Sequence, residues 1–200
     1  VNGRWVKGPG ADFLQTVKDK LGELPIIAED LGIITRDVEE LRRAFDLPGM
    51  KVLQFAFGSD GTNPALPHNY VPNMVAYTGT HDNDTSLGWY DSLDDETKHR
   101  VRVYTGTDGN SMNWTLIRLA MNSVAKMAIY PLQDVLGLGS EARMNVPGKA
   151  YGNWTWRYKE DDLGQDAFTT LREMSTVSGR WIPSEEKDRS ELSEITYEEP

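Results

Sequence analysis

The 200-residue chain contains no cysteine, which excludes disulfides, cysteine-ligated zinc, iron–sulfur clusters and thiol nucleophiles, and suits a reducing compartment. Histidine is nearly as scarce, His68, His81 and His99 being the only ones. None of them are spaced as a helical metal pair, so neither a metal site nor a cofactor is expected. No stretch approaches the roughly 18 consecutive apolar residues of a spanning helix, and no secretory signal opens the chain, so no membrane partner is expected. Basic residues are outnumbered, 21 against 31 acidic ones for a net charge of −10. The cationic surplus that neutralises phosphates is missing, which argues against nucleic acid as a partner. The turn Gly8-Pro9-Gly10 lacks the glycine spacing of a dinucleotide site, and no Gly-x-Ser-x-Gly elbow supports a serine hydrolase.

What is present is an alternation of helical and buried-strand patterns. Periodicity predicts a helix over 12–22, with Phe13, Leu14, Val17 and Leu21 on its apolar face, Asp12 as a candidate N-cap and Gly22 as its stop. The short run Ile26-Ile27-Ala28, opened by Pro25, reads as a buried strand that delivers Glu29 and Asp30 at its C-terminal end. A second helix starts at Thr35-Arg36-Asp37 and stops at Pro48-Gly49. Further strands are predicted over 50–57, 74–77 and 127–130, and further helices over 94–104, 112–125 and 164–177. Prolines and glycines leave no room for a regular helix in 58–73, and 137–158 reads as ordered loop. Residues 184–200 carry seven acidic and two basic side chains and read as a solvated or disordered tail.

Four buried strands alternating with helices predict an α/β domain. Polar clusters following those strands suggest the active face of a (β/α) barrel, which takes eight strands and about 250 residues when complete. Half a barrel would leave sheet edges and apolar helix faces open. With Val1 in place of an initiating Met, this leads to the expectation of a fragment whose N-terminal part is missing.

Two clusters carry candidate chemistry. Glu29 closes an apolar strand that would bury its carboxyl beside Asp30, and partial desolvation raises a carboxyl toward the range of a general acid; a surface carboxylate fits the same pattern. Asp82 and Asp84 stand in Gly79-Thr80-His81-Asp82-Asn83-Asp84-Thr85, a density of hydrogen-bonding groups that suits hydroxyl-rich ligands or, equally, an Asx-rich turn. His81 reads as a donor to a ligand hydroxyl or as a structural hydrogen-bonder. Asn153, Trp154 and Trp156, with Trp5, offer faces on which sugar rings stack, although buried tryptophans under a loop are commoner.

The wording of seven segments is more specific than their spacing. Ile26–Gly32 (IIAEDLG), Leu47–Gly58 (LPGMKVLQFAFG), Asn63–Tyr70 (NPALPHNY) and Tyr77–Thr85 (YTGTHDNDT) resemble 4-alpha-glucanotransferases of the amylomaltase family, as do Ile129–Gly139 (IYPLQDVLGLG), Ala142–Gly148 (ARMNVPG) and Gly152–Arg157 (GNWTWR). The resemblance runs over about residues 3–177. It implies an α/β fold, the C-terminal half (strands five to eight) of a (β/α)8 barrel of the alpha-amylase-like group, in residues 1–183, with 184–200 as a tail. It also implies retaining double displacement on α-1,4-glucans and maltooligosaccharides, with glucose as an acceptor.

By motif, the resemblance implies Glu29 as general acid/base and Asp82 as a third carboxylate that grips sugar hydroxyls and distorts the ring. It implies His81, Phe55 and Asn145 as substrate-binding positions. The family's nucleophile, an aspartate in an Arg-Ile-Asp-His-like motif, has no counterpart in these residues. The chain is therefore expected to lack the N-terminal half of its barrel and to be inactive alone. A hydrolase of the same group and a non-catalytic glucan-binding module are the alternatives. The expected compartment is the cytoplasm, or the plastid for a photosynthetic eukaryote.

Overall fold

A computed structural model describes residues 3, 4 and 6–181; Trp5 and the acidic segment 184–200 lie outside them. Among the described residues, β1 (Gly49–Val52), β2 (Met74–Tyr77) and β3 (Met127–Ile129) form one parallel sheet in the order β1-β2-β3. Met50 pairs with Val75, and Ala76 with Ala128. Around them lie α1 (Ala11–Leu21), α2 (Arg36–Ala44), α3 (Ser86–Ser92), α4 (Asp95–Thr105), α5 (Met112–Met121), α6 (Leu132–Val135) and α7 (Gln165–Val177). The fold is α/β, with strand order following chain order.

Two apolar clusters hold the helices to the sheet. Leu53, Phe57, Met74 and Ala76 pack with Trp89, Val101, Met112, Leu116 and Ala120 in the larger one. Ile117 and Met121 turn away from it into a second cluster with Val135 and Met174. Residues 116/120 and 117/121 are two i, i+4 pairs on adjacent stripes of α5, which is why that helix is apolar over so wide a face. Arg180 closes the arrangement by donating to the carbonyl oxygens of Met121, Ser123 and Ala125 at 2.7, 2.9 and 2.9 Å, the first at the open C-terminal end of α5 and the others in the segment that leads to β3.

Three of the four expected strands form. The run Ile26–Ala28 does not become one. It lies beside β1, where Ala28 N–H donates to Pro48 O at 2.8 Å. Two residues on, the Asp30 carboxylate, not a backbone carbonyl, takes the Met50 N–H at 2.6 Å. A side chain thus replaces the ladder, and a Cβ at Gly49 would collide with that carboxylate. The expected strand over 50–57 also stops early, at Val52, and continues as a 3-10 turn over Leu53–Phe55. α1 and α2 bury no residue, and Phe13, Leu21, Ile33 and Val38 are exposed.

Candidate active site

Chain leaving β1 carries Phe55, chain leaving β2 carries Gly79–Thr85, and chain leaving β3 carries Tyr130 and Gln133; all of these line one cavity of about 1110 Å³. Glu29, Arg143, Met144 and Trp154 complete its wall. Parallel strands deliver their following loops to one end of a sheet, so residues distant in sequence converge there.

Glu29 is exposed and lines this cavity, whereas Asp30 is the buried partner, its side chain 8% exposed. The expectation that Glu29 would bury its carboxyl beside Asp30 is therefore corrected. Consecutive residues of extended chain point to opposite faces, so one carboxylate turns inward and the other to the cavity. Asp30 faces Arg42 at 3.6 Å and Lys51 at 3.7 Å besides the Met50 amide. Glu29 makes no hydrogen bond or ion pair among the described residues.

The same division recurs after β2. The Asp84 side chain is 19% exposed and is held by Thr85 N–H at 2.8 Å and Ser140 Oγ at 2.8 Å, with Arg143 at 3.9 Å. Its carbonyl accepts from Gln54 Nε2 at 2.8 Å, a close approach that a Cβ on Gly79 would block. Asp82, by contrast, has a side chain 51% exposed at the cavity, 3.5 Å from His81 Nε2. Asn145 reaches the site through Asp82, its Nδ2 donating to Asp82 Oδ1 at 2.5 Å, and its side chain is not among the groups lining the cavity.

Sequence reasoning missed two residues that organise this loop. Arg143 donates to Asp82 O at 2.7 Å and Asn145 O at 2.9 Å, joining the segment after β2 to the 140–146 segment. Asp134, 1% exposed, accepts from Thr78 Oγ1 at 2.6 Å and from Ser86 N–H and Oγ at 2.7 Å each. It thereby ties down both ends of the segment that bears His81 and Asp82. Burial, the largest influence, pushes the Asp134 carboxyl above its usual range against the pull of the Ser86 and Thr78 hydrogen bonds, and the Asp84 charge adds to the rise. Arg143 stands in the Ala142–Gly148 motif, and only the polar run behind a buried strand hinted at Asp134.

Phe55 and His81 stand on the cavity wall. Trp154 is also there, its ring 5.0 Å from that of His81. Trp156 instead packs beside Tyr158, centroids 6.2 Å apart. Asn153 serves the loop, accepting from Val146 N–H and donating to Lys149 O. Burial raises the Tyr77 phenol above its ordinary value.

The 4-alpha-glucanotransferase family matches residues 1–163 of this chain. The chain belongs to that family. It is 52% identical over 184 residues to the 4-alpha-glucanotransferase of Synechocystis sp., covering 90% of this chain and 36% of that protein. Against the Thermus thermophilus 4-alpha-glucanotransferase it is 50% identical over 188 residues, covering 90% and 38%. The amylomaltase of Streptococcus agalactiae, solved in complex with acarbose, superposes with a TM-score of 0.86 at 37% identity, covering 90% of this chain and 37% of that one. The chain thus spans about a third of the length of the relatives it matches. No helix among the described residues is long and apolar enough to cross a membrane.

Proposed function

We propose that residues 1–183 are the C-terminal part of a (β/α)8 catalytic barrel, with β1, β2 and β3 as its sixth to eighth strands and the run Ile26–Ala28, beside β1, in the place of the fifth. In our reading the enzyme transfers a segment of an α-1,4-glucan to glucose or a maltooligosaccharide with retention of configuration. The observation that carries this reading is the convergence of Glu29, Asp82 and His81, from two separate segments, on one cavity. Parallel strands ordered as in the chain suit a barrel wall, and the exposed apolar faces of α1 and α2 suit a surface that the rest of a barrel covers. The acarbose complex of the streptococcal relative supports a glucan as ligand. We assign it to the cytoplasm; the potato relative is named chloroplastic/amyloplastic, which keeps the plastid as the alternative.

In this mechanism an upstream carboxylate attacks the anomeric carbon while Glu29 gives its proton to the leaving glycosidic oxygen. The glycosyl-enzyme ester then yields to an acceptor hydroxyl, whose proton passes to the Glu29 carboxylate as its oxygen bonds to the same carbon. Two inversions retain the configuration. Asp82 holds hydroxyls of the reacting ring and stabilises its oxocarbenium-like form, with His81 on the same sugar.

The test joins this chain in frame behind the part of the Thermus thermophilus enzyme that precedes the matched segment. The chimera should convert maltotriose into longer oligosaccharides, whereas the 200-residue chain alone should not. Glu29→Gln in the chimera should lower kcat by about 10²–10⁴-fold with sugar binding retained. Products limited to glucose and maltose would indicate a hydrolase, and binding without turnover a glucan-binding module. Transfer by the chain alone would refute the proposed need for an upstream nucleophile.

A further inference from the structure

Trp154 is the one bulky residue among the described residues with a left-handed backbone, φ 60°. Asp46 and Ser111 share a positive φ, but both carry small polar side chains, which meet less steric resistance there than an indole does. A large side chain resists it, so Gly or Asn would suit the backbone at position 154 better. Core packing does not explain the tryptophan either, because it is 53% exposed.

The surrounding loop nevertheless fixes this residue firmly. Trp154 N–H donates to Met144 O at 2.8 Å, and Arg157 Nη1 donates to Trp154 O at 2.9 Å. Gly152, φ 80°, turns the chain just before it, and Asn153 bonds to Val146 N–H at 3.0 Å and Lys149 O at 2.9 Å. These contacts hold the indole on the cavity wall, its plane tilted 35° from that of His81, whose Nε2 lies 3.5 Å from Asp82. Strain kept at a cavity wall by its surroundings is a pointer to function.

From this we infer that Trp154 is a stacking platform for a glucose unit of the bound glucan, the unit adjoining the one gripped by Asp82. The inference rests on the α-glucan reading above. An indole face takes the C–H face of a pyranose without demanding hydrogen bonds, so the ring's hydroxyl edge stays free for the polar groups of the Gly79–Thr85 segment. Trp156, paired with Tyr158 and absent from the cavity wall, has no such role.

Affinity for maltotetraose, measured by calorimetry on the chimera carrying Glu29→Gln so that the sugar is not consumed, tests this. Trp154→Ala should weaken binding about tenfold and Trp154→Phe less than about threefold, since phenylalanine keeps an aromatic face. Trp154→Gly relieves the backbone, so it should bind as poorly as the alanine variant while its thermal midpoint is equal to or above that of the parent. In the active chimera KM should rise more than kcat falls. Alanine and glycine variants that bind like the parent would overturn the platform, as would a glycine variant that loses affinity only together with a lowered midpoint. A parent chimera that transfers no glucosyl units refutes the α-glucan reading and the platform with it. An active chimera indifferent to Trp154 overturns the platform alone.

Discussion

Replacing Asp134 by alanine should destabilise the chain by about 2–4 kcal/mol, the cost of leaving buried neutral donors without their acceptor. The carboxylate is the shared acceptor of the Thr78 hydroxyl, the Ser86 hydroxyl and the Ser86 N–H, and each buried donor left without an acceptor costs about 1–3 kcal/mol. The two hydroxyls can rotate toward other partners, so the full sum is not reached. Asp134→Asn keeps the shape: its carbonyl oxygen still accepts from Ser86 N–H, and its amide donates to the two hydroxyls. Its cost should be about 1 kcal/mol or less at neutral pH. The pH dependence follows from the raised carboxyl of the folded state. An unfolded aspartate titrates at about 3.9, so in the window above that value the folded chain binds the extra proton. The stability this group contributes is fully present below the unfolded value and is lost as pH rises through the folded one. The always-neutral asparagine escapes that loss, so the stability of Asp134→Asn relative to the parent should improve from pH 4 to pH 7. Urea midpoints followed by tryptophan fluorescence would measure both effects. An alanine variant costing less than about 1 kcal/mol would refute the network's weight, and a parent-to-asparagine difference that is the same at both pH values would refute the raised carboxyl.

Arg143 is the next target, because its guanidinium bonds the carbonyls of Asp82 and Asn145. Arg143→Ala in the chimera should lower kcat/KM about 10²-fold, the penalty of a misplaced catalytic group, and Arg143→Lys, which keeps the charge but not the fork, should recover only part of it; full recovery by lysine would show that charge alone suffices. Gly88 supplies a structural counterpart. A Cβ there would collide with Ser140 Oγ and come within 2.9 Å of Asp84 Oδ1, so Gly88→Ala should cost about 1–3 kcal/mol by overpacking. Combined with Ser140→Ala it should cost about 1 kcal/mol less than the sum of the two single variants, and additive urea midpoints would show that the two residues do not compete for space.

Where a local pattern determines the outcome, the sequence was readable. The helices predicted over 12–22, 94–104 and 164–177 became α1, α4 and α7 within a residue or two. α3 was missed because Ser86, Gly88 and Ser92 are weak helix formers. It forms because Thr85 caps it by accepting from Gly88 N–H and because Trp89 and Tyr90 anchor it in the core. Ile26–Ala28 looked like a strand by composition, yet a strand is a property of a pair, and the pairing side of β1 is taken by the Asp30 side chain. From its motif Asn145 was expected to line a substrate site, yet its side chain is not on the cavity wall and donates to Asp82 instead. That it grips Asp82 depends on the direction of a loop side chain, which no local periodicity encodes.

Both carboxylate motifs are built alike, and this bears on what they do. In Glu29-Asp30 and in Asp82-Asn83-Asp84 one carboxylate is fixed and the other presented. Asp30 receives the Met50 amide and faces Arg42 and Lys51; Asp84 receives the Thr85 amide and the Ser140 hydroxyl and faces Arg143. An amide N–H and nearby cations offset the cost of a partly buried negative charge, and the anchored residue in turn sets the backbone from which its neighbour projects. Glu29 and Asp82 are left exposed at one cavity. A surface-charge role would need neither the anchors nor the glycines at 49 and 88 that make room for the Asp30 and Asp84 carboxylates. Neutralising an anchor should therefore disturb the position of the presented carboxylate as well as stability. Asp84→Asn should lower the kcat of the chimera, because the Ser140 and Thr85 contacts that hold the loop beneath Asp82 are weakened. A variant that keeps the kcat of the parent would show that Asp84 does not position Asp82.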